Sequence, residues 1–349
     1  MTGVCILISA LLTVCLLEYA DLGSTPEDPF NIFGAPMNSR KKRQADQNPA
    51  GTLEALLDNI KAIEDHNLLS DVGDVTFKMK LNKFAYEAPE VFNKLRNGFR
   101  LFSRANPIPD GLKDFVTQAL KFVGPIFTQI TGTVDWRFAG ADWLAWLVWD
   151  QEECASCWAF TTIAAIEGQI MRSTGRTVYL SQQNLIDCAK SDYGGHGCNG
   201  GSMVGAYKYV RDHGVNTAIS YPYEGKDGTC RHDSLSAIRV NGYRQIEEGN
   251  ETQLMEAVAT VGPVAAGMDG SLRSFQFYSR GVYYDPLCSS TNLNHGVLVM
   301  GYGRTSGGMD YWIVKNSYGT DWGEGGYFRI ARNKGNHCGI ATLATYPVL

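Results

Sequence analysis

Cys154-Ala155-Ser156-Cys157-Trp158-Ala159-Phe160-Thr161-Thr162-Ile163-Ala164-Ala165-Ile166-Glu167-Gly168-Gln169-Ile170-Met171-Arg172 is the stretch on which the fold turns. Phe160, Ile163, Ile166 and Ile170 recur at helical spacing, and Gly175 follows as a stop signal. The spacing predicts a helix over 157–172 that opens on Cys157. A sulfur in that place sits at the positive end of the backbone dipole, which favours thiolate. A thiolate still needs a proton partner before it can take part in acyl transfer.

Outward from this helix, 199–213 and 252–261 also read as helical. The runs 297–302, 311–314 and 327–330 are β-rich. Helices followed by strands predict an α+β fold in two halves rather than a doubly wound sheet. Upstream, Leu53, Leu56, Leu57, Ile60 and Ile63 carry helical spacing through 53–67, and 75–84 alternates like a strand. The first residues hold an apolar run, Val4 to Leu17, too short for a comfortable membrane crossing. It reads as a signal peptide ending near Ala20. The Pro/Asp/Asn-rich stretch 21–51 has the composition of a poorly ordered segment.

The chain has 349 residues, 44% of them hydrophobic, and a net charge of -5. The interleaved charges exclude the basic face of a nucleic-acid binder. Nine cysteines are present. Cys5 and Cys15 leave with the signal, and none occurs between Cys15 and Cys154, which marks a boundary near Ile130. An oxidising compartment pairs six of the remaining seven and leaves one free. Six cysteines allow fifteen connectivities, so composition alone does not choose among them. Cys154-x-x-Cys157 has no second such pair and no matched histidines, so a zinc or redox site is disfavoured and no metal is expected.

Of six histidines, His295 alone sits in an Asn-His-Gly context feeding a β-rich run. Asn316 follows in Lys315-Asn316-Ser317-Tyr318-Gly319. An amide there can accept one imidazole N–H and turn the other nitrogen toward sulfur. A lone histidine is more often structural; the weight lies in the combination.

Together these residues resemble the papain family of cysteine proteases, with cathepsin L the most similar branch. His295 lies 138 residues beyond Cys157 and Asn316 lies 159 beyond it. Val134-Asp135-Trp136-Arg137, Cys198-Asn199-Gly200-Gly201, Tyr221-Pro222-Tyr223 and Val261-Gly262-Pro263-Val264 carry the resemblance further. It implies a two-lobed papain-like α+β fold, with a helical left lobe and a β-barrel-like right lobe, behind a mainly helical pro-region. The implied divisions are a signal peptide (1–20), a propeptide (21–129, inhibitor-type from about 53) and a peptidase domain (130–349).

The resemblance also implies roles. Cys157 attacks the scissile carbonyl, His295 exchanges the proton, Asn316 orients His295, and Gln151 with the Cys157 N–H forms the oxyanion hole. Trp322 covers the His–Asn bond. Gly201 holds the P2 backbone, and Met203, Gly267, Leu293 and Leu343 line an apolar P2 pocket. The implied disulfides are Cys154–Cys198, Cys188–Cys230 and Cys288–Cys338. Only nine residues separate Cys188 from Cys198, which leaves no occluding insertion and implies endopeptidase action. The implied partners are protein or peptide substrates, the protein's own propeptide as inhibitor and cystatin-like inhibitors, with a monomeric enzyme, no cofactor and a lysosomal or extracellular location.

The match has departures. Asn59, Ile63 and Asn67 fit the last half of the pro-helix motif, while Asn48 and Thr52 break its first half. Asn82 and Phe84 fit the next motif, but Lys80 and Tyr86 do not. Ala155 and Glu152 stand at glycine positions, Tyr318 replaces a tryptophan, and the Trp-rich run 142–149 is long and apolar. If position 152 needs a conformation reserved for glycine, the oxyanion hole is displaced, and a catalytically impaired scaffold acting as a binding protein becomes the alternative. Arg40-Lys41-Lys42-Arg43 reads as a processing site or a solvated charge run. Asn250-Glu251-Thr252 is a glycosylation sequon.

Overall fold

The computed structural model describes residues 49–101, 132–138 and 147–349. The apolar leader, the basic run at 40–43 and residues 142–146 of the Trp-rich run lie outside them. The described elements are α1 (Pro49–Asp71), β1 (Phe77–Met79), α2 (Pro89–Arg96), β2 (Val134–Asp135), α3 (Cys157–Thr174), α4 (Gln182–Cys188) and α5 (Met203–Asp212). They continue with β3 (Gly242–Gln245), α6 (Glu251–Thr260), β4 (Val264–Met268), α7 (Arg273–Gln276), β5 (Tyr278–Tyr283), β6 (His295–Arg304), β7 (Asp310–Lys315), β8 (Tyr327–Ala331) and β9 (Ala344–Val348). None of the helices is long and apolar enough to cross a membrane among the described residues.

The strands join in the order β1-β5-β8-β7-β6-β4-β9-β3, with β2 on β6. Two cores result. One lies on the sheet side and includes Val264, Phe275, Phe277, Val299, Trp312, Trp322 and Phe328. The other packs α3, α4 and α5, through Trp158, Ile163, Ile166, Leu185, Ile186, Tyr207 and Val210. The three implied disulfides are all formed, with Cα–Cα separations of 4.6, 4.9 and 5.0 Å. Cys157 is left as the free, buried thiol.

Helix α3 runs as its spacing requires and stops at Gly175, whose φ of 68° lets its N–H close on the Met171 carbonyl. Two expected elements come out shorter. The helix predicted from 199 begins at Met203, because Gly200 takes a φ of 105°, outside the helical region, and Ser202 caps the first turn by accepting from the Gly205 N–H. The strand predicted over 75–84 is realised only as Phe77–Met79, paired with β5. Asn82 then folds the chain into a turn, accepting from the Phe84 N–H and donating to the Gln276 carbonyl.

The pro-region motif residues hold the pro-region together. Asn59 is buried and donates to the carbonyls of Ala85 and Glu87. Asn67 accepts from the Met79 N–H and donates to the Met79 carbonyl. Ile63 and Phe84 enter the sheet-side core. Through β1 the pro-region adds an antiparallel strand to the edge of the main sheet.

Nothing lies within 4 Å of a Cβ placed at Gly175, so the cost of a side chain there is purely conformational. Gly175→Ala should cost about 1 kcal/mol and lower Tm by about 2 °C, with Gly175→Asn milder. Thermal unfolding followed by circular dichroism measures both, and equal losses for the two variants would refute the left-handed cap.

Candidate active site

Cys157 is the first residue of α3, and the site is assembled around its sulfur. Burial pushes the thiol up, while the backbone amides of Gly296, Gly98, Trp158 and Cys157 itself pull it back. His295 opens β6, opposite Met268 of β4. The chain right after it abuts the helix: a Cβ at Gly296 would lie 3.2 Å from the Cys157 carbonyl oxygen.

The imidazole Nε2 lies 2.8 Å from Asn316 Oδ1. That oxygen also accepts the Ser317 N–H at 2.9 Å, so it is an acceptor and Nε2 carries a hydrogen. Burial lowers the imidazole to about 4, against a smaller upward pull from Asn316. Behind the site, Lys315 of β7 is buried and Glu167 of α3 is partly buried. Desolvation drives the lysine down and the carboxyl up, and each charge partly offsets the other's shift.

Gln151 is fully buried and anchored on every side. Its Oε1 accepts from Ser317 Oγ at 2.6 Å, its N–H donates to the Ser317 carbonyl, and its own carbonyl accepts from Tyr223. Its amide nitrogen donates to the Cys154 carbonyl at 2.9 Å and to the Arg96 carbonyl at 3.0 Å. Glu152 does adopt a left-handed conformation, with φ of 52°, a sparsely populated choice for a non-glycine residue. Beside this strained residue Gln151 is held by the hydrogen bonds just described. The Arg96 guanidinium donates to the Glu152 carbonyl, pairs with Glu87 at 3.0 Å and lies over the Phe84 ring.

The pro-region crosses this site in extended form. The Gly98 N–H meets Cys157 Sγ at 3.4 Å. Gly201 donates to the Gly98 carbonyl at 2.8 Å and accepts from the Arg100 N–H at 2.9 Å. A Cβ at Gly98 would come 1.7 Å from the Ala155 carbonyl oxygen and 2.9 Å from its methyl, so only glycine passes here. Phe99 is buried in the helix-side core together with Met203 and Leu293, and Leu343 packs against that core. At Gly267 a Cβ would come 2.8 Å from the Phe99 ring, which is why that wall is glycine. The Gly267 N–H donates to the Leu343 carbonyl.

Trp322 stands one layer further back than expected. Its ring meets Tyr318, Phe275, Tyr278 and Phe328, and its N–H donates to the Gln276 carbonyl. The ring stacked on His295 is that of Tyr318, at 5.0 Å. Its hydroxyl lies 3.4 Å from His295 Nδ1 and 3.3 Å from Asn97 Oδ1. The sequon asparagine, Asn250, caps α6 by accepting from the Gln253 N–H and donates to Glu247.

Sequence reasoning did not single out Arg96, Gly98 and Phe99. Their only linear signal is a glycine-aromatic pair among polar residues, which says nothing until the register against Cys157 is known.

A buried thiol opening a helix, an imidazole at the start of β6 bonded to an amide just past β7, and a glutamine amide beside them lie where the helix-side and sheet-side cores meet. The family model described as papain family cysteine protease matches residues 130–348, and the chain belongs to that family. It is 41% identical over 347 residues to the cathepsin L-like peptidase of Aedes aegypti, across 99% of both chains. It is 42% identical over 294 residues to human cathepsin L2, across 83% of each. Digestive procathepsin L 3 of the Tenebrio molitor larval midgut superposes with a TM-score of 0.72 at 37% identity, covering 90% of this chain and 95% of that one. The protein is a cathepsin L-like cysteine protease in its proenzyme form.

Truncating a buried aromatic costs about 3 kcal/mol or more. Phe99→Ala in the full-length proenzyme should therefore raise the rate of Cys157 alkylation by iodoacetamide about a hundredfold. Mass-spectrometric timing of the label reads this, and an unchanged rate would show that Phe99 does not hold the segment down.

Proposed function

We propose that the mature protein is an endopeptidase. Cys157 attacks the peptide carbonyl, His295 takes the thiol proton and returns it to the leaving amine, and Asn316 fixes the ring. Gln151 and the Cys157 N–H hold the oxyanion. The observation that carries this reading is the pro-segment itself, which lies along a groove whose walls would serve a substrate. Its Arg96 carbonyl sits on the Gln151 amide, its Phe99 fills an apolar pocket, and its backbone bonds to Gly201. An apolar, preferably aromatic, P2 side chain is the substrate preference that this occupant supports. Division near residue 130 would free the peptidase from the pro-region, and passage through the secretory pathway agrees with three disulfides.

The reading accounts for latency. With the groove covered, both the thiol and the imidazole are held neutral by burial, so the thiolate–imidazolium pair is suppressed. Opening the groove rehydrates His295. A histidine held low in the closed form stabilises that form above its ordinary value near 6.5, and the stability is lost as pH falls from there toward about 4. The loss amounts to about 3 kcal/mol over that window.

The proenzyme should accordingly open in acid. Hydrolysis of a peptide with Phe at P2, following preincubation of the full-length protein between pH 7 and 4, should rise steeply below about pH 6.5. Gln151→Ala should cut kcat of the processed enzyme about a hundredfold with folding intact. A wild-type protein that is alkylated at Cys157 yet turns over no peptide would instead be the impaired scaffold.

A further inference from the structure

The phenol of Tyr318 belongs to no step of the proposed mechanism, yet it touches the atom on which that mechanism depends. Tyr318 is fully buried. Its ring is stacked on His295 and held edge-on by Trp322, and by Phe84 and Phe92 of the pro-region. Because Nε2 carries its hydrogen toward Asn316, a neutral His295 has its lone pair on Nδ1. Among the described residues the only hydrogen-bond partner of Nδ1 is the Tyr318 hydroxyl, at 3.4 Å. The Cys157 sulfur is engaged instead by the Gly98 N–H.

The hydroxyl has one proton and two acceptors in reach. Asn97 Oδ1 is one, its amide nitrogen being turned to Asn93. His295 Nδ1 is the other. Asn97 departs with the pro-region, and Nδ1 remains. We propose that in the mature protease the Tyr318 hydroxyl donates to His295 Nδ1 and competes with Cys157 for that lone pair, so that Tyr318 tunes the thiolate–imidazolium pair. This rests on the catalytic roles proposed above.

The surroundings leave the phenol the freest group to act on this nitrogen. Cys157 faces it from α3. Arg96 and Glu87 lie beyond Tyr318 on the pro-region and leave with it. On the sheet side Asp269 is engaged by Asn294, Ser271 and Ser289. A hydroxyl bond to Nδ1 favours neutral imidazole, so it lowers the pH at which the imidazolium of the ion pair gives up its proton. The acid limb, where the thiol ionises beside an existing imidazolium, is untouched.

The test uses full-length protein processed in acid, with Cys157 alkylation by iodoacetamide and kcat/KM measured against pH. Tyr318→Phe should move the alkaline limb up by about 0.7 unit, the size of a fivefold hydrogen-bond effect, and leave the acid limb in place. Fluorotyrosine at position 318 keeps the shape and donates more strongly, so it should move the limb down even if the Phe variant fails to fold. A merely structural tyrosine would lower the plateau of both measurements without moving either limb, and that result would overturn the inference. An inert wild-type enzyme would instead overturn the catalytic reading on which it rests.

Discussion

The structure depends on how closely the first turn of α3 approaches the start of β6. At Gly296 a side chain would be crowded, its Cβ falling 3.1 Å from Thr161 Oγ1 and 3.2 Å from the Cys157 carbonyl oxygen. Because position 296 is glycine, the helix end comes down onto the strand, and Cys157 becomes a neighbour of His295 across the two lobes. The contact is broad. Ala265 of β4, Leu298 and Met300 of β6, and Ile313 of β7 turn away from the sheet-side core and into the helical one. A rigid joint of this kind fixes two reacting groups better than loops would, since side chains packed on regular elements cannot drift apart independently.

Latency follows from a mismatch on that rigid site. Attack requires one peptide unit to offer its carbonyl carbon to sulfur and its oxygen to the oxyanion donors together. The pro-segment divides these contacts between different units. Gln151 holds the carbonyl of Arg96, while the sulfur meets the N–H of Gly98. On the proposed roles, the segment thus uses the recognition groups of the groove while keeping an electrophile away from the sulfur. Its grip is mostly apolar and steric, through Phe99 in its pocket and the bare Gly98 threaded past Ala155. The methyl of Ala155 narrows a passage that glycine alone can use.

Much of this was legible in the sequence because it depends on local pattern. The apolar spacing from Phe160 to Ile170 marks the helix, and Cys157, His295, Asn316 and Gln151 stand in contexts short enough to recognise. The structure brings all four together. What the sequence hid depends on register between distant segments. Nothing local aligns Gly98 with Cys157 or Phe99 with Leu293. In the sequence Tyr318 is only a replacement for a tryptophan, but its consequence is chemical: it brings a hydroxyl to Nδ1. Glu152 was rightly suspect, for it does take the left-handed conformation. The bonds from Ser317 and Tyr223 that hold Gln151 beside it are invisible in a linear reading.

The response of the closed form to acid is a contest among buried groups, and the signs decide it. His295, and His66 of α1 packed on Phe77, are both lowered by burial. Each therefore withdraws stability from the closed form as pH falls below the ordinary imidazole value. Glu87 acts the other way. Burial raises it more than Arg96 lowers it, so the closed form binds this proton more readily than the open one and gains stability in acid. The ion pair between Glu87 and Arg96 looks at first like the latch that acid would spring. Its desolvation makes it a brake, and among these buried groups the imidazoles are the ones whose protonation favours opening. On the roles proposed above, the group that must be charged for catalysis is thus also the group whose charging favours uncovering the groove.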